Sequence, residues 1–125
     1  MNYITKADKK TIVSSFRKYS RLGLANDKLS PFDAYDRIRG VCRTKGEALD
    51  LLAVYDTMRL LRISNKTEVI KAVYAVYFGH LGRNPRKNEI SDRVLRHATE
   101  NYCDERTVYR QLEYARKLYL TLRTN

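Results

Sequence analysis

Apolar positions in this chain recur three and four residues apart almost throughout, and the two-residue alternation of strands is missing. The expected fold class is therefore all-α, a compact bundle of about six helices in a single domain, residues 1–125. The first helix is predicted from about Lys6 to Arg21. Ile12, Phe16 and Tyr19 form one stripe along it, and Lys10, Arg17 and Arg21 line the opposite side with Lys18 beside them. "LGLANDKLS" breaks the pattern and reads as a loop. Ser30-Pro31 then opens a second helix with a hydroxyl cap, proline at the first helical position and Asp33 three residues after the cap. Ala34, Ile38, Val41 and Cys42 supply its apolar side, and "RTKG" ends it.

The third helix, about Gly46 to Ile63, is apolar on two faces. Leu49, Leu52, Ala53, Leu60 and Ile63 make one stripe; Leu51, Val54, Met58 and Leu61 make the other. Asp56 falls within the first stripe, where a carboxylate needs a partner or water; an ion pair and a functional acid are both open readings. Ser64 is the expected cap of a fourth helix carrying Val69, Val73, Val76 and His80 in one stripe, which makes it the expected central helix. Gly79, Gly82 and Pro85 stop that helix, and the connector "GHLGRNPRKNE" carries Arg83, Arg86 and Lys87. A fifth helix, about Lys87 to Tyr102, turns Ile90, Val94 and Ala98 inward with His97 on the same side. His97 reads either as a satisfied boundary residue or as a ligand. The sixth helix starts with Asp104 as cap and runs to about Arg123. The chain divides at about residue 63 into N-terminal helices, 1–63, and a C-terminal part, 64–125.

Charge adds what the pattern lacks. Lys and Arg number 25 against 14 Asp and Glu, a net of +11. The excess concentrates at the two ends, with +5 over residues 1–30 and +4 over residues 83–125. A polyanionic partner follows, nucleic acid first. The apolar fraction of 43% excludes general disorder, and charges interrupt every apolar run well before the ~18 residues of a membrane span. "MNYITKADKK" has no apolar core followed by a small-residue cleavage site, so the cytoplasm is the expected location. Cys42, Cys103, His80 and His97 have no metal-ligand spacing, and both cysteines are expected to be reduced and structural, with no metal and no cofactor. No paired acids, nucleophile with a base, or phosphate-cradling glycine loop points to an enzyme.

The sixth helix has two distinct faces. With Val108 at zero, Leu112, Ala115, Tyr119 and Leu122 fall within about 40° of it at 100° per residue. Arg106, Arg110, Glu113 and Lys117 fall on the far side, flanked by Tyr109 and Tyr114, with Thr107 near the start. A helix that reads the major groove needs this division, one face anchored and one carrying long donors and acceptors. An ordinary amphipathic helix with a solvated charged face shows it as well.

The run Asp104-x-x-Thr107-Val108-x-x-x-Leu112-x-x-Ala115 resembles the second half of the helix-turn-helix in region four of bacterial sigma factors. It also resembles the C-terminal part of phage late-gene transcription regulators of the ArpU and RinA type. Ala98 stands ten positions before Val108, where that family carries an alanine, and Cys103 stands where it carries an apolar turn residue. The resemblance covers about residues 64–123 and is clearest over 98–119. It implies that the last two helices form a helix-turn-helix-like pair, with Ala98 at the tight crossing, Cys103 plugging the turn and the third and fourth helices as scaffold. It also implies that Arg106, Thr107, Tyr109, Arg110 and Glu113 face DNA. The chain departs from the family at Tyr102, where the turn glycine is usual, at Asn101, where an apolar residue is usual, and at His97. The fifth helix is therefore expected to run longer and the turn to differ.

The function expected from charge and resemblance together is a small DNA-binding transcriptional regulator, phage or mobile-element encoded, reading duplex DNA with residues 104–123. Base reading is assigned to Arg106, Tyr109, Arg110 and Glu113. Phosphate binding is assigned to Lys10, Arg17, Arg21, Arg83, Arg86, Lys87, Thr107 and Lys117. The alternative is an interaction protein that inhibits a host nucleic-acid machine, RNA polymerase or an RNA-guided nuclease, its ten tyrosines serving as interface residues. Pairing of first helices through Ile12 and Phe16 is a route to a homodimer, and the oligomeric state is open.

Overall fold

The computed structural model describes residues 6–25, 28–78 and 88–124. Its regular elements are α1 (Lys6–Arg21), α2 (Pro31–Val41), α3 (Lys45–Ile63), α4 (Thr67–Val76), α5 (Glu89–Glu100) and α6 (Glu105–Thr124). No strand occurs among the described residues, so the fold class is all-α. Arg83, Arg86, Lys87 and His80 lie outside the described residues.

Local chemistry accounts for the ends. The Ser30 hydroxyl accepts the Asp33 N–H at 3.1 Å with Pro31 opening α2, as the sequence predicts. Thr44 does the same for α3, accepting the Glu47 N–H at 3.1 Å, so "RTKG" is the beginning of a helix as well as the end of one. Ser64 terminates α3 instead of opening α4, which starts after Lys66 with no side-chain cap.

Three helices end in the same backbone device, the Schellman motif. After α1, the Leu24 N–H reaches the Tyr19 carbonyl at 3.2 Å and the Gly23 N–H reaches Ser20 at 3.0 Å. After α3, Lys66 bonds Leu61 at 2.9 Å and Asn65 bonds Arg62 at 3.1 Å; after α5, Cys103 bonds Ala98 at 3.0 Å and Tyr102 bonds Thr99 at 3.3 Å. Each motif holds one residue left-handed, at Gly23 (φ 73°), Asn65 (φ 58°) and Tyr102 (φ 54°). Glycine accepts this conformation freely and asparagine tolerates it, whereas tyrosine does not. The fifth helix therefore ends at Glu100, short of its predicted reach, and Tyr102 adopts a backbone conformation that glycine takes freely. Tyr102→Gly is expected to raise stability by about 1 kcal/mol, the left-handed penalty less the entropy of glycine, and the melting temperature by about 3–5 °C. A melting curve that stays or falls would show the Tyr102 ring making a compensating contact.

The core sits between α3 and α6. α3 packs on α1, α2, α4 and α6, and α6 packs on α1, α3, α4 and α5, so these two take the central place predicted for α4. Of the two apolar stripes of α3, Leu51, Val54, Met58 and Leu61 are buried, while Leu49, Leu60 and Ile63 reach solvent. Phe16 of α1 stacks among Tyr77, Phe78 and Tyr119 at ring distances of 5.4, 6.0 and 5.6 Å. Ile12 and Phe16 are buried within the chain's own core, so they are not free to pair with a second copy. Tyr19, Tyr55, Tyr77 and Tyr119 are buried too, so much of the tyrosine content serves packing.

Asp56 lies half-buried beside the Tyr35 hydroxyl and the Arg59 charge. Desolvation raises its carboxyl above the usual carboxylate range, and Arg59 and Tyr35 only oppose that. Ionising Asp56 thus costs more in the folded chain than in the unfolded one. That cost is absent below the ordinary pKa of 3.8 and complete once pH passes the raised folded value. Asp56→Asn is expected to leave stability unchanged near pH 3 and to increase it at pH 7, as read by urea denaturation at both pH values.

Candidate nucleic-acid interface

α4, α5 and α6 pack each against the other two, and the turn from α5 to α6 is four residues, 101–104. Ala98 is buried at the crossing and Cys103 packs half-buried against the core, which gives the Schellman turn its apolar contact. The Asp104 carbonyl accepts the N–H groups of Thr107 and Val108 at 3.0 and 3.3 Å, opening α6. His97 is buried, its Nδ1 3.1 Å from the Asn101 side-chain nitrogen, while that same amide donates to the His97 carbonyl at 2.8 Å. The histidine closes the end of α5 and fits the boundary reading.

α6 is anchored as its periodicity predicts. Val108, Leu112, Ala115 and Tyr119 are buried, and Leu122 is half-buried. Arg123 Nε donates to Asp50 Oδ1 at 2.7 Å and the Tyr119 hydroxyl donates to Ser15 Oγ at 3.1 Å, fixing α6 on α3 and α1. Arg106, Arg110, Glu113 and Lys117 form the exposed stripe. Lys117 Nζ lies 2.9 Å from Glu113 Oε1, and this contact holds the Glu113 carboxyl below the usual carboxylate range. Both side chains are about half exposed, 54% and 49%, so the pair is worth little and opens readily to another partner.

Two of the predicted contacts, Tyr109 and Arg17, are placed elsewhere. Tyr109 is half-buried, packed on the core and lining a cavity, so its ring is not on the exposed stripe. Tyr114 stays at the edge, 46% exposed, with Lys66 Nζ 5.5 Å from its ring centre. Arg17 is committed to Glu89: its Nη2 lies 3.0 Å from Oε2, while Arg93 Nη2 lies 3.1 Å from Oε1 of the same carboxylate. At 12% exposure, Arg17 joins α1 to α5 and does not reach outward. The two cations hold the Glu89 carboxyl below its ordinary value.

Lys10 is exposed near the start of α1, and Arg21, also exposed, stands at the other end, about 16 Å away along the axis. Thr107 is half-buried in the first turn of α6. Lys9, to which the periodicity assigned no role, is exposed and close enough to Glu113 that its charge also lowers that carboxyl. The first turn of α1 thereby extends the basic edge of α6, a juxtaposition no local pattern carries.

Among the described residues no helix is long and apolar enough to cross a membrane, and no three His, Cys, Asp or Glu side chains converge as metal ligands. Cys42 and Cys103 are free thiols, both half-buried, and burial pushes the Cys42 thiol up. No protein-family model, curated protein or solved structure matches this chain.

Proposed function

We propose that this chain is a small DNA-binding transcriptional regulator of the phage or mobile-element kind, with α6 as its reading helix. The observation that carries the reading is the split of α6 into an immobilised face and an exposed stripe of Arg106, Arg110, Glu113 and Lys117. A rigid anchor is what base reading requires, since a guanidinium must meet guanine O6 and N7 together, and a carboxylate must meet cytosine N4, at fixed distances. Arg106 and Arg110, one helical turn apart, are the base-reading pair, with Glu113 next along the stripe. Lys117, Lys9 and Lys10 lie beside them for the phosphates, and Thr107 serves the same role at the start of the helix. The short turn from α5, the buried Ala98 and the half-buried Cys103 support a helix-turn-helix-like use of the last two helices. The excess of basic residues supports a polyanion as the partner.

The test is binding to two fluorescent duplexes, one from the region upstream of the chain's own gene and one scrambled, across a salt series. The expected result is a preference of roughly 10³-fold that persists as salt rises, on top of a shared electrostatic slope. Equal binding that vanishes with salt would sink the base-reading proposal.

A second reading, capture of a host protein or ribonucleoprotein, draws on Tyr102. Its side chain is 97% exposed at the very turn that joins α5 to α6, two residues after α5 ends. Tyrosine and arginine are the residue types on which interfaces most depend, and Arg106 follows four residues later. Under this reading Tyr102→Gly loses the partner while the fold gains stability; under the DNA reading it leaves duplex preference in place.

A further inference from the structure

Arg116 is the one buried arginine among the described residues, 6% exposed, on the flank of α6 between its core face and its exposed stripe. Its Nη1 donates to the Tyr77 hydroxyl at 2.7 Å. No carboxylate lies within ion-pair distance of it among the described residues, and its Nε–H is buried without an acceptor. The carboxylate of Glu113 is near enough to feel the Arg116 charge, but it pairs with Lys117 and makes no hydrogen bond to Arg116. An uncompensated buried guanidinium is costly, and so is an unsatisfied buried donor. Tyr77, buried at the end of α4, receives the Arg116 bond, and no acceptor for its own proton stands among the described residues; burial raises its pKa, so it stays a donor.

Arg116 and Tyr77 are among the residues lining a cavity of about 420 Å³ where α1, the end of α4, α5 and α6 meet. Val13, Ile90 and Leu112 give it hydrocarbon walls, and the Tyr109 ring forms another side. Lys9 and Lys10, both exposed, stand at its edge. The size falls within the usual range for small-ligand sites, largely apolar with a few converging polar groups. A second cavity, of about 530 Å³ between α1 and α3, makes the contrast. There Lys18 pairs with Glu47 at 3.0 Å and Asp50 with Arg123 at 2.7 Å, while the exposed Lys10 stands at the edge of both cavities.

We infer that the cavity around Arg116 is a binding site for a small apolar carboxylate, an aromatic or branched aliphatic acid. Its carboxylate accepts from Arg116 Nε–H and from the Tyr77 hydroxyl, and its hydrocarbon covers Val13, Ile90 and Leu112. Lys9 and Lys10 draw the anion in. A bare inorganic anion would satisfy the donors but leave the hydrocarbon walls wet, and a neutral hydrocarbon would leave the Nε–H without an acceptor. The site does not depend on whether α6 reads DNA.

The test is titration of the ¹³C,¹⁵N-labelled chain with phenylacetate, benzoate and isovalerate, following the Arg116 Nε–H resonance and the Ile90 and Leu112 methyls. Phenylacetamide and inorganic phosphate serve as the neutral and bare-anion probes. At least one of the three acids is expected to shift all three signals and to bind about tenfold or more tighter than phenylacetamide. Arg116→Met, close in volume, is expected to remove that margin, and Tyr77→Phe to weaken the acid by about tenfold should the first variant fail to fold. The inference is overturned if no acid moves the Nε–H signal, if phenylacetamide binds as tightly as phenylacetate, or if phosphate shifts the same resonance as strongly. It is equally overturned if a short duplex alone moves that resonance, which would make the site a phosphate seat.

Discussion

Reversing two charges on α6, Arg106→Glu with Arg110→Glu, is expected to lower affinity for a preferred duplex by at least about 30-fold, at roughly 1–3 kcal/mol for each lost base contact. The melting temperature should hardly change, because both side chains are exposed and neither takes part in an ion pair among the described residues. Preference between native and scrambled duplexes should shrink with affinity, and the salt slope should become shallower if either arginine also touches phosphate. Fluorescence anisotropy at two salt concentrations, with circular dichroism for the fold, measures all three. An equal loss on both duplexes would limit the two arginines to backbone contact. Undiminished preference would remove α6 as the reader.

Phe16→Ala is expected to destabilise the chain by about 3–5 kcal/mol, a large share of the stability usual for a domain of this size. Phe16 is fully buried, and its ring meets Tyr77 of the α4 end, the neighbouring Phe78 and Tyr119 of α6. Removing it opens a void bounded by three rings, Tyr119 on α6 and Tyr77 and Phe78 in the turn whose N–H groups bond back to the Val73 carbonyl, so the site has little scope to collapse. Urea denaturation followed at 222 nm gives the value directly. A loss below about 1.5 kcal/mol would mean that the rings close over the gap. Because Tyr77 also bonds Arg116, this variant should disturb the α6 cavity as well, which makes it unsuitable for the ligand titration.

Periodicity made most of the fold legible. The bounds of α1 and the start of α2 follow from a stripe and a cap, because both depend on residues within one or two turns. The same holds for the buried face of α6, where the 100° rule places Val108, Leu112, Ala115 and Tyr119 on one line. Where two local signals competed, the pattern misled. Ser64 has the chemistry of an N-cap, yet α3 continues to Ile63 and turns on Asn65, so the hydroxyl falls at the wrong end. The two stripes of α3 are equally apolar, and only neighbours distinguish the buried Leu51 line from the exposed Ile63 line. At Tyr102 the backbone is left-handed all the same, and the steric argument against tyrosine underestimated a turn set by three bracketing backbone bonds.

The candidate site divides in the same way. Arg106, Arg110, Glu113 and Lys117 share a face through helical geometry alone, so their alignment was determined by sequence. Arg17 looked like one more exposed cation of α1, but Glu89 stands 72 residues later in the chain, and the pairing exists only once α1 lies against α5. The partners of Lys9 and Arg116 are equally remote: Lys9 acquires a role because α1 begins beside α6, and Arg116 becomes buried because α4 ends over it. What the sequence by itself determined is the class of fold, the helices and the faces each presents, since these arise from contacts within about four residues. Which faces meet, which charges are thereby paired and which one is left buried without an ion pair were decided by the tertiary structure, because Coulomb and desolvation energies depend on distance in space and not along the chain.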